Sequence, residues 1–205
     1  MYNPAHFAED RPEVLHEFIR QHPLGALVTC GPAGLEASHV PVAFHPDEGL
    51  LRCHIARANP QSQTLASSPS VLMIFSGAQH YITPSWYPSK AEHGKVVPTW
   101  NYIAVHVSGR ARIIEDEQAF LRHLKDLTAR NESSFTEPWA VDDAPPEYIA
   151  NLMRSIVGIE ILIDRIEGKW KLSQNRSKAD QQGVIEGLQK LDTPESTTMA
   201  KLMKH

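Results

Sequence analysis

Three side chains that can bind an anion stand close together in the stretch HIARANPQ, residues 54–61. Arg57 can hold a phosphate through two parallel N–H groups, and the amides of Asn59 and Gln61 can donate further hydrogen bonds. Pro60 keeps a helix from starting early, so a loop is expected after the strand-like run GLLRCH. These residue types favour an anion-binding loop for a cofactor phosphate. The alternative is a solvated surface loop.

The stretch ASHVP, residues 37–41, carries a proline where a strand is expected. Pro41 cannot donate to a strand ladder, so this segment is expected at a sheet edge or at a bulge. There the main-chain groups of His39 and Val40 are free to meet a planar heterocycle. An ordinary edge strand is the alternative.

Two further stretches, TPSWYPSK and VPTWNY, combine aromatic rings with polar groups. The residues concerned are Trp86, Tyr87, Trp100 and Tyr102, with Ser85, Ser89, Lys90 and Asn101. A conjugated ring requires such a combination of apolar cover and hydrogen-bond donors at its edge. The alternative is a loop that is attached to the core through its aromatic side chains.

A polar run, GKWKLSQNR, follows the last predicted strand. Its side chains are Lys169, Trp170, Lys171, Ser173, Gln174, Asn175 and Arg176. Such a run is ordinarily solvated, and it gains functional interest if it reaches a second subunit.

Several common sites are excluded by their missing motifs. The chain has no GxGxxG after a strand and no GxxxxGK[ST], which argues against a Rossmann or P-loop site. It also has no HExxH, CxxC or GxSxG. His54, His80 and His106 each fall on a predicted strand and could converge on a metal. The favoured interpretation is that each is hydrogen-bonded at the rim of the fold, without a metal.

Composition limits the class of protein. The 205 residues are 41% hydrophobic and 21% charged, which predicts a folded core. Net charge is -4 and no Lys/Arg-rich block is present, so direct nucleic-acid binding has no support. The sequence shows no secretory signal and no membrane-length apolar run, and its two cysteines, Cys30 and Cys53, are expected to be reduced core residues. A cytoplasmic location is therefore expected.

The elements that must position these residues are mostly strands. Hydrophobic alternation and turn residues predict strands in GALVTC, LEASHVPVAF, LLRCHI, SVLMIF, AQHYI, YIAVHVSGRARII and VGIEILIDRIEGKWKLSQN. The last of these could instead be a hairpin that turns at Glu167-Gly168. Helices are predicted in EDRPEVLHEFIRQHP, EDEQAFLRHLKDLTARNE, PPEYIANLMRSI and KADQQGVIEGLQKL. Six or seven mostly sequential antiparallel strands favour a mainly β (α+β) fold, a small barrel with flanking helices. We expect one domain over residues 1–205, with a short C-terminal helical extension from about residue 178.

Taken together, the motifs resemble one family. MYNPAHF, HIARANPQ, YITPSWYPSK, VPTWNY and GIEILI...GKWKLSQNR occur in the order seen in the PaiB family of FMN-binding proteins. The resemblance implies the FMN-binding split barrel of pyridoxamine-phosphate oxidases and flavin reductases. It also implies a homodimer with two FMN sites at its interface, each using both chains. PaiB-like proteins are described as negative transcriptional regulators of protease and sporulation genes, although no helix-turn-helix is visible in this sequence.

The resemblance brings individual residues into the expected site, and we infer the role of each from its residue type. Arg57, Asn59 and Gln61 would hold the FMN phosphate, and His54 and Ala56 would lie along the ribityl chain. The remaining candidates are His39, Val40 and Pro41, which would run past the isoalloxazine edge, and Trp100 and Asn101, which would approach from the neighbouring region or chain. Lys171, Ser173, Gln174 and Asn175 belong to the C-terminal motif, which in related split barrels reaches across the dimer. Lys171 is the candidate for a positive group that stabilises the anionic reduced flavin. No catalytic acid or base is identified.

Two functions from different classes remain open. The first is an FMN-dependent oxidoreductase or flavin-linked redox protein, in which the cofactor carries the redox chemistry. The second is a regulator that acts through a protein or DNA partner without its own turnover, and the acidic charge favours a protein partner. A split barrel that persists as an interaction domain without its cofactor is a third possibility.

Overall fold

The fold is described from a computed structural model that covers residues 1–32 and 34–204. Ala33, in the predicted turn GPAG, lies outside the described residues. The strands are β1 (Ala8–Glu9), β2 (Leu24–Gly31), β3 (Gly34–Pro41), β4 (Ala43–His45), β5 (Leu50–Ala56), β6 (Ser70–Ile82), β7 (Thr99–Ile113) and β8 (Ile156–Lys171). The helices are α1 (Pro12–Gln21), α2 (Gln61–Ser67), α3 (Ser89–His93), α4 (Glu117–Glu132), α5 (Pro146–Arg154), α6 (Lys178–Leu191) and α7 (Pro194–Leu202). Short 3₁₀ turns cover Ala5–Phe7, Pro46–Glu48, Pro84–Trp86 and Val141–Asp143.

All eight strands belong to one sheet. Its hydrogen-bonding order is β3-β2-β6-β7-β8-β5-β4, and β1 pairs with β8. The predicted hairpin is confirmed, since β2 and β3 are antiparallel neighbours. The expectation of mostly sequential neighbours is confirmed along this order, where four of the six neighbouring pairs are consecutive in the chain. The two exceptions are crossovers, in which β2 pairs with β6 and β5 pairs with β8. The crossovers arise because α2 separates β5 from β6, and α4 and α5 separate β7 from β8.

Strand β7 shows the expected period of two. Asn101, Ile103, Val105 and Val107 are buried, and the residues between them are partly exposed. Successive side chains of a strand point to opposite faces, so this strand has one face in the core. Gly109 continues the buried series. A Cβ at this position would overlap the main chain at Leu162. The predicted close backbone approach is therefore present.

The predicted hairpin at Glu167-Gly168 does not form, and β8 continues through both residues. Gly168 pairs with Glu9 of β1. A Cβ at Gly168 would overlap the Leu15 side chain, so glycine serves close packing at this point and not a turn.

The residue contacts group the chain into two compact units. Unit 1 consists of Met1–Leu15, Ser76–Val105 and the residues from Glu167 on, and unit 2 consists of His16–Phe75 and His106–Ile166. The expected single domain over residues 1–205 thus stays a prediction.

Each unit has its own set of buried apolar side chains. In unit 1 the buried cluster consists of Ile82, Tyr87, Val184, Leu188, Met199 and Ala200. The C-terminal helices α6 and α7 supply four of these six residues, so they form part of the unit 1 core. In unit 2 the fully buried large side chains include Leu27, Leu51, Met73, Phe75, Ile159 and Ile161.

The two cysteines lie in different environments. Cys30 is exposed and Cys53 is completely buried in β5. Burial raises the pKa of the Cys53 thiol to about 12. Among the described helices, none has the length and apolar character needed to cross a membrane.

Candidate functional site

Arg57 lies directly after β5, in the loop that the sequence predicts. Its Nε donates to the main-chain oxygen of Arg154 (2.8 Å), and its Nη2 donates to that of Ile156 (3.0 Å). The Arg57 main-chain N–H donates to Ser155 O (2.8 Å). The two side-chain bonds hold the guanidinium at the end of α5, and the main-chain bond fixes the loop there, while the side chain remains exposed. Its Nη1 has no hydrogen-bond partner among the described residues, so that part of the guanidinium is available to an anion.

Asn59 and Gln61 shape this loop. The Asn59 carboxamide accepts from the Gln61 main-chain N–H (3.0 Å) and donates to Ser38 Oγ of β3 (2.8 Å). Gln61 is only 1% exposed, and its amide nitrogen donates to Leu27 O, Thr29 Oγ1 and Glu36 O. Within the described chain, both amides therefore hold α2 and the loop against β2 and β3.

His39, Val40 and Pro41 are the last three residues of β3, which is an edge strand as expected. Among the described residues, β3 has one strand neighbour, β2, and His39 is opposite Ala26. His39 and Pro41 are exposed, while Val40 is 4% exposed and faces the core. The outer edge of β3 therefore has no paired strand among the described residues, and such an edge can meet a ligand or another chain.

His54 and Ala56 lie on β5, one on each side of the buried Ile55. Ala56 is exposed next to Arg57. The His54 ring is 5.7 Å, between centroids, from the ring of His123 on α4. Burial lowers the pKa of both imidazoles, that of His123 to about 4. Neither ring nitrogen of His123 has a hydrogen-bond partner within the described chain, so this pair is held neutral at physiological pH.

Convergence of His54, His80 and His106 on a metal ion was the less favoured interpretation of the sequence. His54 and His106 belong to unit 2, but His80 belongs to unit 1. Across residues 1–32 and 34–204, no group of three or more His, Cys, Asp or Glu side chains is arranged to hold a metal ion.

In unit 1, two of the predicted residues meet through the Lys171 side chain. Its ammonium donates to the main-chain oxygen of Trp100 (2.7 Å) and to the hydroxyl of Thr99. Burial lowers the pKa of Lys171, and the positive charges of Lys169 and Arg176 lower it further. The charges of Lys169 and Arg176 thus make the surroundings of Lys171 electropositive. The Trp100 indole beside it is 51% exposed and remains accessible for stacking.

Asn101 and Ser173 form a second pair in unit 1. Asn101 is fully buried, and its Nδ2 donates to Ser173 Oγ (3.0 Å). Ser173 has a φ of 67°, a left-handed conformation that is unfavourable for serine. Strained backbone of this kind persists only where the surrounding contacts enforce it.

The last two predicted residues lie beside this strained point. Gln174 accepts from the Leu172 main-chain N–H (2.7 Å) and donates to Trp170 O, so its side chain closes the turn. Asn175 is exposed.

The TPSWYPSK stretch has a packing role that its composition did not reveal. The Trp86 ring lies against Gly187 of α6, where a Cβ would overlap the indole. The Ser89 hydroxyl and main-chain N–H donate to the Asp180 carboxylate (2.9 and 3.2 Å). These hydrogen bonds lower the pKa of Asp180, although its burial acts in the opposite direction and is the larger single effect. The stretch thus attaches α6 within unit 1. This packing role agrees with the alternative given for the sequence, a loop that is attached to the core through its aromatic side chains.

Sequence reasoning missed several groups that set this geometry. They are the hydroxyls of Ser38 and Thr99 and the main-chain oxygens of Arg154 and Ile156. The type of a residue does not indicate that its main-chain oxygen will orient an arginine 97 positions earlier in the chain.

Each unit, taken by itself, offers residues whose chemistry suits one part of FMN. A phosphate requires a cation with spare N–H groups, and Arg57 has both. A flavin ring requires planar contacts and a positive charge near its pyrimidine edge, and the exposed Trp100 and the adjacent Lys171 have this character. The donor set is therefore compatible with the predicted cofactor.

Comparison with known proteins identifies the family. The family model described as "Putative FMN-binding domain" matches residues 1–165. An uncharacterised protein of Emericella nidulans is 36% identical over all of this chain and 96% of its own length. The protease synthase and sporulation protein PAI 2 of Bacillus subtilis is 33% identical over all of this chain and 97% of its own length.

A solved structure supports the fold. The FAD- and heme-binding protein of Mycobacterium smegmatis superposes with a TM-score of 0.60 over 80% of this chain and 73% of its own, at 16% identity. At that identity the likeness concerns the fold alone. The fold class predicted from the sequence, a mainly β split barrel with flanking helices, is confirmed, as are the PaiB resemblance and FMN as the cofactor. The chain belongs to the PaiB-like family of FMN-binding domains.

Proposed function

We propose that this chain is a flavin-dependent redox protein in which Arg57 binds the phosphate of FMN. The observation that carries this proposal is the exposed guanidinium, which two main-chain oxygens orient while Nη1 stays available. When bound, FMN supplies the electron-transfer chemistry. The chain itself supplies binding and orientation through Arg57 and the loop that Asn59 and Gln61 stabilise.

Lys171 is the second part of this proposal. A fixed positive charge favours the anionic, reduced form of a flavin, and Lys171 is held in place by Thr99 and Trp100. The surrounding residues Trp100, Asn101, Ser173, Gln174 and Asn175 are proposed to shape the same region of the site. His39, Val40 and Pro41 are proposed to contact the ring through the free edge of β3, and His54 and Ala56 to lie along the ribityl chain. We further propose that the protein works as a homodimer with FMN at the interface, as the family resemblance implies.

The test is FMN titration of purified protein, followed by flavin fluorescence. Arg57→Ala is expected to weaken FMN binding about 10- to 100-fold, because a hydrogen bond to a charged group contributes about 1.5–3 kcal/mol. Riboflavin, which lacks the phosphate, should bind wild type and Arg57→Ala equally. Arg122→Ala is the matched control, since this exposed arginine of α4 makes only a 3.8 Å ion pair with Asp116. Wild-type FMN affinity in a folded Arg57→Ala protein would contradict the phosphate assignment.

A second candidate function is regulation of transcription through a protein partner, without turnover by this chain. The observation in its favour is the full-length similarity to PAI 2, whose name refers to protease synthesis and sporulation. The net charge of -4 favours a protein partner over DNA. A mobility-shift assay at low salt separates the two modes, because direct DNA binding weakens steeply as salt rises. No shift at low salt would remove direct DNA binding.

A further inference from the structure

Unit 2 contains an apolar cavity that none of the proposed FMN residues line. It lies between α4 and α5, beside the 3₁₀ turn Val141–Asp143, and has a volume of about 150 Å³. An apolar cavity of about this size is large enough for a benzene-sized molecule. Its apolar walls are Leu121, Val141, Ala144, Pro146, Ile149, Ala150 and Met153.

The polar groups of this cavity are few and mostly acidic. Glu117, Gln118 and Asp142 are its polar lining residues. Asp142 forms an exposed ion pair with Lys125, whose Nζ is 2.7 Å from the carboxylate. The Glu117 side chain, in the first turn of α4, is exposed and forms no ion pair or side-chain hydrogen bond with any described residue. One unpaired carboxylate therefore lies beside an apolar volume.

This combination defines the class of ligand. Apolar walls favour a hydrocarbon group, and a small set of polar groups in a pocket determines orientation and specificity. The unpaired Glu117 carboxylate favours a cation, and a second negative charge there would be repelled by Glu117.

We propose that the α4–α5 cavity binds a small apolar amine, with its hydrocarbon group among the apolar walls and its ammonium beside Glu117. Binding is reversible and non-covalent. The site is independent of flavin binding, so it stands or falls separately from the proposed redox function.

The experiment uses cyclohexylamine as the probe and the full chain labelled at its methionine methyl groups. Met153 is 7% exposed and lines the cavity, so its methyl resonance reports occupancy directly. Met153→Leu assigns that resonance by its loss. We expect a saturable shift of the Met153 methyl with millimolar cyclohexylamine. Cyclohexanol should bind about two- to fivefold more weakly, in line with an exposed charge pair, and cyclohexanecarboxylate more weakly still.

Two variants separate the apolar and charged contributions. Ala150→Phe fills the cavity and should abolish the saturable shift, while its thermal unfolding temperature shows whether it is folded. Glu117→Gln should bind cyclohexanol as wild type does and lose the two- to fivefold preference for the amine. Glu115→Gln, next to α4 but outside the cavity lining, should retain that preference.

Three outcomes would overturn the proposal. The first is the absence of a saturable Met153 shift in wild type. The second is equal affinity for the amine and the carboxylate. The third is a Met153 shift that depends on protein concentration without added amine, which would mean that a second copy of the chain covers the cavity.

Discussion

The side chains of Asn101 and Ser173 are hydrogen-bonded to each other in the buried part of unit 1, although 72 residues separate them. Asn101 is the only buried polar side chain in the alternating face of β7 described above, and Ser173 has left-handed backbone geometry. The bond joins the VPTWNY motif to the GKWKLSQNR motif. Two motifs that are far apart in the sequence are thus joined in the folded structure.

This pair predicts an unusual order of stability among substitutions at Ser173. Ser173→Ala removes the hydroxyl and leaves the buried Asn101 amide short of a partner, which costs about 1–3 kcal/mol. Ser173→Gly removes the same hydroxyl but relieves the left-handed strain, so it should be about 1 kcal/mol more stable than Ser173→Ala. Urea unfolding measures both.

Asp192 supplies the control, because it is exposed and also left-handed, with a φ of 51°. Asp192→Gly should leave stability unchanged or raise it by up to about 1 kcal/mol. A Ser173→Gly protein that is less stable than Ser173→Ala would contradict the proposed backbone strain at Ser173.

Lys171 should influence the redox potential of bound flavin. Removing its charge in Lys171→Gln is expected to lower the midpoint potential by on the order of 30 mV, which is about 1.4 kcal/mol for two electrons. Spectroelectrochemistry of the FMN-loaded protein measures the shift. Lys201→Gln, on α7, is the matched control. An unchanged potential with FMN still bound would place Lys171 outside the flavin's electrostatic field.

The buried histidines predict a loss of stability in acid. Burial is the main cause that lowers the pKa of His123 to about 4, and the charges of His54, Arg52 and His45 lower it further. Asp126 acts in the opposite direction. A lowered folded-state pKa means that the unfolded chain binds the proton more readily. The free energy of unfolding is therefore fully retained above pH 6.5 and falls between pH 6.5 and about 4, by up to about 1.4 kcal/mol per pH unit for this one group.

His123→Phe should reduce this acid dependence, because phenylalanine has no proton to gain and would lie beside Phe120. Urea unfolding at several pH values between about 4 and 7.5 tests it. The exposed His93, substituted with Gln, should leave the slope as in wild type. Equal slopes for wild type and His123→Phe would show that other groups govern acid unfolding.

Gly187 should resist substitution even though it is inside a helix. Alanine is favoured over glycine by about 1 kcal/mol in a helix interior. A Cβ at Gly187 would overlap the Trp86 ring, however, and overpacking costs about 1–3 kcal/mol. Gly187→Ala should therefore lower the free energy of unfolding and change the tryptophan near-UV circular dichroism.

The neighbouring substitution Glu186→Ala provides the comparison. Glu186 is exposed on the same helix and should tolerate alanine with a change within about 0.5 kcal/mol. A Gly187→Ala protein as stable as Glu186→Ala would mean that Trp86 can move away without loss.

The strands and helices were largely predictable because their side-chain patterns are regular. Pro12 begins α1 as expected, and Asp116 caps α4 by accepting from Ala119 N (2.6 Å). The helices α2, α3 and α7 were not predicted. In α7, the segment PESTTMAKL has few apolar residues, and the helix depends on the packing of Met199 and Ala200 in unit 1. The order of strands in the sheet was not predictable from local patterns, because neighbours such as β5 and β8 are far apart in sequence.

The candidate site was predictable in its residue types but less so in their environment. The sequence indicates that Arg57 and Lys171 can bind anions, yet not that carbonyl oxygens and Thr99 orient them. Gln61 resembles a ligand residue in sequence but is 1% exposed and bound to β2 and β3. Burial depends on tertiary packing, which no spacing of residues within a loop reveals.

The contrast between the two cysteines makes the folded chain a natural target for selective labelling. A maleimide dye reacts with thiolate, so at neutral pH it should modify the exposed Cys30 and leave the buried Cys53 untouched. Slow appearance of a second label would then measure how fast β5 opens around Cys53. One fluorophore per chain also gives a direct distance probe between copies, with no cysteine needing to be introduced or removed.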